Sequence, residues 1–295
     1  MLCDMARIAI VGGGNIGEAL LSGLLRAGRR VKDLVVAERV PERAKYLAET
    51  YSVLVTSLNE AVENATFVVV AVKPADVESV IGELARAAAA AENDSAEPVF
   101  VTVAAGVGIT YFESRLPAGT PVVRAMPNAA ALVGAGVTAL AKGRFVTAEQ
   151  LEEVSALFDA VGGVVTISEQ HLDTVTALSG SGPAYFFLMV EAMVDAGVAA
   201  GLTRDVASDL TAQTMAGSAA MLLERMDADR RTADAEPQGM RPDTTAAQLR
   251  ATVTSPGGTT AAGLRELERG GLRAAVDAAV QAAKRRSEQL RITSE

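Results

Sequence analysis

Arg7-Ile8-Ala9-Ile10-Val11-Gly12-Gly13-Gly14-Asn15-Ile16-Gly17 joins a short apolar, β-branched run to a glycine-rich turn, and a helical pattern over 16–27 follows, ending at Gly28. Strand, glycine turn and helix in that order satisfy G-x-G-x-x-G in the context that gives the motif its meaning. Gly12 permits the tight turn, Gly14 lets backbone approach a pyrophosphate, and Gly17 lets the helix pack on the strand. The helix N-terminus then offers free N–H groups to phosphates. Gly12, Gly14, Asn15, Ile16 and Gly17 are the first candidate contacts of a bound dinucleotide.

Outward from this unit the alternation continues. Residues 34–37 read as a second strand, 41–51 as a helix with Pro41 in its first turn, and 53–55 as a third strand. A weak helix follows near 59–64, and Asn59 at its start is counted with the cofactor candidates. The run 67–72 is apolar throughout, which suits a central parallel strand covered on both faces. A helix over 75–91 and strands at 99–103, 121–125 and 164–167 complete the pattern. Such β-α alternation predicts an α/β fold with a Rossmann-like, doubly wound parallel sheet over residues 1–168.

From about Leu172 no strand is expected, so residues 169–295 read as an all-helical domain. Helices are expected over 182–197, 204–225, 244–253 and 260–291, and the polar stretch 227–243 reads as a surface loop. The helix from Pro183 is apolar nearly all round, which predicts burial on all sides, in a core or at a subunit interface. Met189, Met193, Met215, Met221 and Met226 read as core filler.

Composition narrows the chemistry. The chain has 295 residues, enough for about two domains. It carries 27 Lys plus Arg and 36 Asp plus Glu, a net charge of −9, with 4% aromatics. That balance argues against a nucleic-acid binder. One His and one Cys exclude an internal disulfide and a Cys/His zinc site. Cys3 near the chain start reads as incidental, and His171 as a junction residue rather than a proton donor. The apolar runs, typified by 67–72, fall short of a bilayer's span of ~20 residues. No signal pattern opens the chain, so a cytoplasmic protein without a membrane is expected.

Four further motifs carry candidate chemistry. Glu38 ends the second strand, 21 residues after Gly17, where an acid binds the ribose hydroxyls of NAD. Arg39 follows at once and suits a 2′-phosphate, so the two neighbours point to different dinucleotides. Ala71-Val72-Lys73-Pro74 stands at the carboxyl end of a central strand, where ligands of open α/β sheets bind. Arg124-Ala125-Met126-Pro127-Asn128 stands past another, and Asn128 offers a donor and an acceptor to a cofactor amide. Val253-Thr254-Ser255-Pro256-Gly257-Gly258-Thr259-Thr260 places hydroxyls and free N–H groups at a helix start, an anion site suited to a carboxylate. Ser179-Gly180-Ser181-Gly182-Pro183 has a similar character.

Taken together and in order, the segments 12–17, 71–74, 124–128, 179–184 and 253–260, the last continuing through Glu268, closely resemble pyrroline-5-carboxylate reductases over almost the whole chain. Ala129-Ala130 departs from the Thr-Pro common in that family, and 227–243 is longer than usual. The resemblance implies reduction of the C=N bond of Δ1-pyrroline-5-carboxylate to L-proline, the last step of proline biosynthesis, with NADPH preferred and NADH the alternative. It implies a helical dimerisation domain, a homodimer and a decamer of five dimers. The active site then lies between the cofactor domain of one subunit and the helical domain of its partner. Ser255, Gly257, Gly258, Thr259 and Thr260 hold the substrate carboxylate, and Thr260 is the candidate catalytic hydroxyl near the ring nitrogen, with a water as the other proton source. Two other readings compete: a 3-hydroxy-acid type of reductase, for which the helix from Pro183 lacks the needed Lys or His, and a non-catalytic dinucleotide sensor, which has no use for 255–260.

Overall fold

The computed structural model describes residues 6–90, 97–235 and 244–292. Cys3 and residues 236–243 of the expected loop lie outside them. The chain forms two compact units, Met1–Pro183 with Val280–Glu295, and Ala184–Ala279.

In the first unit the apolar runs become strands β1 (Ile8–Val11), β2 (Leu34–Ala37), β3 (Leu54–Thr56), β4 (Phe67–Val70), β5 (Val99–Thr102), β6 (Val122–Met126), β7 (Gly136–Lys142) and β8 (Gly162–Thr166). They form one sheet in the order β3-β2-β1-β4-β5-β6-β7-β8. The order reverses between β1 and β4, whose registers pair Val11 with Val70. Strands β1 to β6 run parallel, β7 is antiparallel to β6, and β8 is parallel to β7. The sheet is therefore mostly rather than wholly parallel.

The helices here are α1 (Asn15–Arg26), α2 (Pro41–Tyr51), α3 (Leu58–Val62), α4 (Val77–Ala90), α5 (Ile109–Glu113), α6 (Ala148–Asp159) and α7 (Leu172–Val175). Alternate strand residues split into two cores. Ile8, Ile10 and Val69 pack with Leu20 and Leu24 of α1, Leu47 of α2 and Phe158 of α6. Ala9, Val11, Val68 and Val70 pack with Ala61 of α3, Ile81 of α4 and Phe112 of α5. Strands apolar on both faces and covered by helices on both faces are the doubly wound arrangement expected. Burying each such Leu or Ile contributes about 1.5–3 kcal/mol.

The remaining helices are α8 (Gly182–Ala199), α9 (Arg204–Ala235), α10 (Thr245–Thr252), α11 (Thr259–Arg269) and α12 (Leu272–Gln289). A hydrogen bond of 3.0 Å from Thr245 Oγ1 to Asp229 Oδ2 ties α10 to α9. Several expectations need correction. Helix α9 continues through the polar residues 227–235, supported by the ion pairs Arg225–Asp229 and Asp227–Arg230 at helical spacing. The helix expected over 260–291 breaks at Gly270-Gly271, where Gly271 takes φ +75°. Near the C-terminus Ile292 makes a parallel bridge to Val107. The apolar face of α8 is not core within this chain: Phe186, Phe187 and Leu188 are 63%, 65% and 67% exposed. Met189, Met193 and Met221 are exposed as well. The core reading of that helix is therefore not met among the described residues. Helical turns preceding α8 extend it into a run of 31 residues, Glu169–Ala199, within which an 18-residue window reaches a mean hydropathy of 1.2, long and apolar enough by length and composition to cross a membrane. Apolar runs of strand size, such as 67–72, do not reveal it.

Candidate active site

The carboxyl ends of β1, β2 and β4 surround a cavity of about 520 Å³. Gly12, Gly14, Glu38, Arg39, Ala71, Val72 and Lys73, all expected from sequence, line it. Thr56, Ser57, Leu58 and Asp76 line it too; Thr56 ends β3, Ser57 and Leu58 follow it, Asp76 follows β4, and no motif marks them. Asn15, Ile16, Gly17, Asn59 and Pro74 are not in its wall. Asn15 and Ile16 begin α1 and Gly17 is buried beneath the loop. Asn59 is exposed on α3. Asn128 stands elsewhere, and its Oδ1 accepts the Val137 N–H at 3.1 Å, so half of its amide is spent starting β7.

The glycines have distinct duties. Gly12 takes φ +102°, and a Cβ there would lie 2.6 Å from the Ala71 carbonyl oxygen. A Cβ on Gly17 would lie 2.1 Å from the Gly12 carbonyl oxygen. Around Gly14 nothing comes within 4 Å of such an atom, so the approach to the start of α1 is open. The first-turn N–H groups of a helix have no acceptor within it. An open, polar loop end of this form fits a dinucleotide pyrophosphate.

Side chains brace the loop from behind. The Gly13 N–H donates to Glu38 Oε2 at 2.8 Å, and Val40 N–H donates to Glu38 Oε1 at 2.8 Å. Arg43 Nε donates to the Gly13 carbonyl at 2.6 Å, and its Nη2 bonds Glu18 of α1. Glu18 also accepts from Tyr46 at 3.1 Å and Tyr51 at 2.8 Å. Burial acts to raise the Glu18 carboxyl, but the hydrogen bonds from Arg43, Tyr51 and Tyr46 outweigh it and hold Glu18 below its ordinary 4.5. Burial and then the Glu18 bond push the Tyr51 hydroxyl up to about 12. A raised folded value stabilises the protein fully below the free value of 10.0 and loses that effect as pH climbs through about 12. The difference in Tm between wild type and Tyr51→Phe is thus expected to hold steady below that free value and to narrow above it. A difference independent of pH would count against the network.

At the rim the balance shifts. Among the described residues Arg39 reaches only Asp76, at 3.4 Å, and its side chain is 64% exposed. Glu38 is bound to the backbone while Arg39 faces solvent beside the cavity.

In the helical unit, α11 starts at Thr259 after Gly258, with no side-chain cap and no acidic residue in its first turn. Gly257 takes φ +70°, and Gly258 N–H closes the turn on Ser255 O at 3.0 Å. Neither Thr259 nor Thr260 uses its hydroxyl on another described residue. Free N–H groups, two hydroxyls and a helix dipole without a competing acid suit an anion.

Sheet, glycine loop and cavity define a dinucleotide-binding protein of the doubly wound class. The N-terminal part matches the family described as NADP oxidoreductase, coenzyme F420-dependent, over residues 7–106, and residues 169–290 match pyrroline-5-carboxylate reductase dimerisation. A pyrroline-5-carboxylate reductase of Mycobacterium tuberculosis is 80% identical over 295 residues, all of both chains. The solved reductase of Coxiella burnetii superposes with a TM-score of 0.86 at 33% identity, covering 98% of this chain and 100% of that one. That of Plasmodium falciparum, solved with NADP bound, gives 0.78 at 27% identity, covering 97% and 98%. The chain belongs to the pyrroline-5-carboxylate reductase family.

Proposed function

We propose that this chain reduces the C=N bond of Δ1-pyrroline-5-carboxylate to L-proline, with NADPH as the preferred donor and NADH the alternative. One observation carries the reading: a single chain, alike over its whole length to such reductases, has both an open dinucleotide cavity and an uncapped, acid-free helix start suited to a carboxylate. Residues 1–168 form the cofactor half and 169–295 the substrate and dimerisation half. Gly12, Gly14, Asn15, Ile16 and Gly17 hold the pyrophosphate. Glu38, Arg39, Asn59, Ala71, Val72, Lys73, Pro74 and Asn128 complete the cofactor site. Ser255, Gly257, Gly258, Thr259 and Thr260 hold the substrate carboxylate.

When bound, the reduced nicotinamide supplies a hydride to the imine carbon. The chain's own work is positioning: a protonated cyclic imine is already an electrophile, and bringing it into near-attack geometry lowers the barrier by up to about 7–11 kcal/mol. Thr260 steadies the proton at the ring nitrogen. A second copy covers the exposed apolar face of α8 in a homodimer, a reading supported by that exposure and by the match of residues 169–290 to a dimerisation family; the dimer is cytoplasmic, and five dimers form the decamer.

The decisive assay follows loss of NADPH or NADH absorbance with pyrroline-5-carboxylate. Turnover with NADPH ahead of NADH is expected, and Arg39→Ala raises KM for NADPH about tenfold, the loss of one charge-assisted bond, while leaving NADH nearly unchanged. No oxidation of either cofactor would return the sensor reading.

A further inference from the structure

We propose that Arg43 is a positioning residue for the cofactor: it aims the Gly14 N–H at the pyrophosphate by gripping the carbonyl on the other side of the same peptide. The inference rests on the reading of the cavity as a dinucleotide site. A peptide unit is planar and trans, so the Gly13 carbonyl and the Gly14 N–H point in opposite directions. Arg43 Nε holds that carbonyl at 2.6 Å. The N–H is thereby turned away from Arg43, on a residue that lines the cavity. The preceding peptide is fixed as well, because Gly13 N–H is held by Glu38 at 2.8 Å. Glycines have the widest conformational freedom of any residue, so three in a row need such outside restraint to present one N–H in one direction.

The guanidinium is itself fixed. Its Nη2 bonds Glu18, four residues on from Gly14, and Glu18 is held by Tyr46 and Tyr51. One planar group thus spans the loop and the helix that starts at it. The side chains of Arg43 and Glu18 are 29% and 17% exposed, which favours this pair over an ordinary surface one. Lysine, a point charge, cannot make both bonds with the same geometry.

Calorimetric titration of NADPH and NADH into wild type, Arg43→Gln and Arg43→Lys tests this. Both variants should bind both cofactors about tenfold more weakly, to the same degree. Turnover at saturation and KM for the imine should stay close to wild type. Wild-type affinity in Arg43→Lys would show that charge alone matters and overturn the proposal. So would a loss confined to NADPH, which means direct contact with the 2′-phosphate, or a lower Tm with unchanged affinities. If Arg43→Gln does not fold, Glu18→Gln frees one side of the guanidinium and should weaken both cofactors equally, by about threefold; unchanged affinity there overturns it too. Failure of wild type to bind either cofactor would instead remove the reading beneath it.

Discussion

Gly17→Ala should remove most of the protein's cofactor affinity. Two effects oppose each other at this position. Alanine favours a helix over glycine by about 1 kcal/mol, so on propensity alone the variant would gain stability. Its Cβ, however, would lie 2.1 Å from the Gly12 carbonyl oxygen and 3.3 Å from Ile10 Cγ2. The first contact is with backbone, which has no rotamer to escape into. Either α1 moves off the sheet or the Gly12 carbonyl rotates, and Gly12 has little room, with the Ala71 carbonyl on its other side. Overpacking of this kind costs about 1–3 kcal/mol, more than the propensity gain. Because the displaced atoms belong to the loop proposed to hold the pyrophosphate, the cost falls on binding. We expect NADPH to bind about 100-fold more weakly, with KM for the imine little changed. Calorimetric titration measures it, and a Kd within twofold of wild type would show that the loop tolerates the shift.

Gly17 shows what is legible in the sequence. Gly17 could be read because its role is local: strand, turn and helix are contiguous, and the motif specifies which atoms approach. Much of the sheet was legible for the same reason, since β1, β2 and β4 are unbroken apolar runs between turn residues. Strand β7 is hard to read because its apolar run, Ala139-Leu140-Ala141, lacks β-branched residues; Thr138 is buried within it, and it turns back antiparallel beside β6. The braces on Gly13 depend on distance in the chain: Glu38 and Arg43 lie 25 and 30 residues away. Glu38 stands where the motif expects an acid for the ribose, while Arg43 lies on an ordinary helix and carries no signal. Thr56 and Ser57 enter the cavity wall only because β3 pairs with β2. For α8 the hydrophobic pattern was visible, but whether core or a second copy covers it is not a property of one chain's sequence.

Thr260→Ala tests the other half of the reading, and its folded state should survive the change. Thr260 is the second residue of α11, not its N-cap, which is Gly258 and makes no side-chain cap bond. No capping energy is therefore lost, and alanine is the better helix former, so Tm should hold or rise slightly. What disappears is one hydroxyl at a helix start where the backbone N–H groups remain. A hydrogen bond to a charged group contributes about 1.5–3 kcal/mol, a factor of roughly 10 to 150. If Thr260 only helped hold the carboxylate, the loss would appear in KM for the imine alone. On the proposal that the hydroxyl also steadies the proton on the ring nitrogen, which matters more as the hydride arrives, kcat should fall together with kcat/KM. Thr259→Ala, one residue earlier, should raise KM and spare kcat. Thr260→Ser should recover most of the turnover, and the NADPH Kd should stay unchanged throughout. An unaltered kcat/KM in Thr260→Ala would assign the proton to water and leave the turn as a carboxylate cradle only.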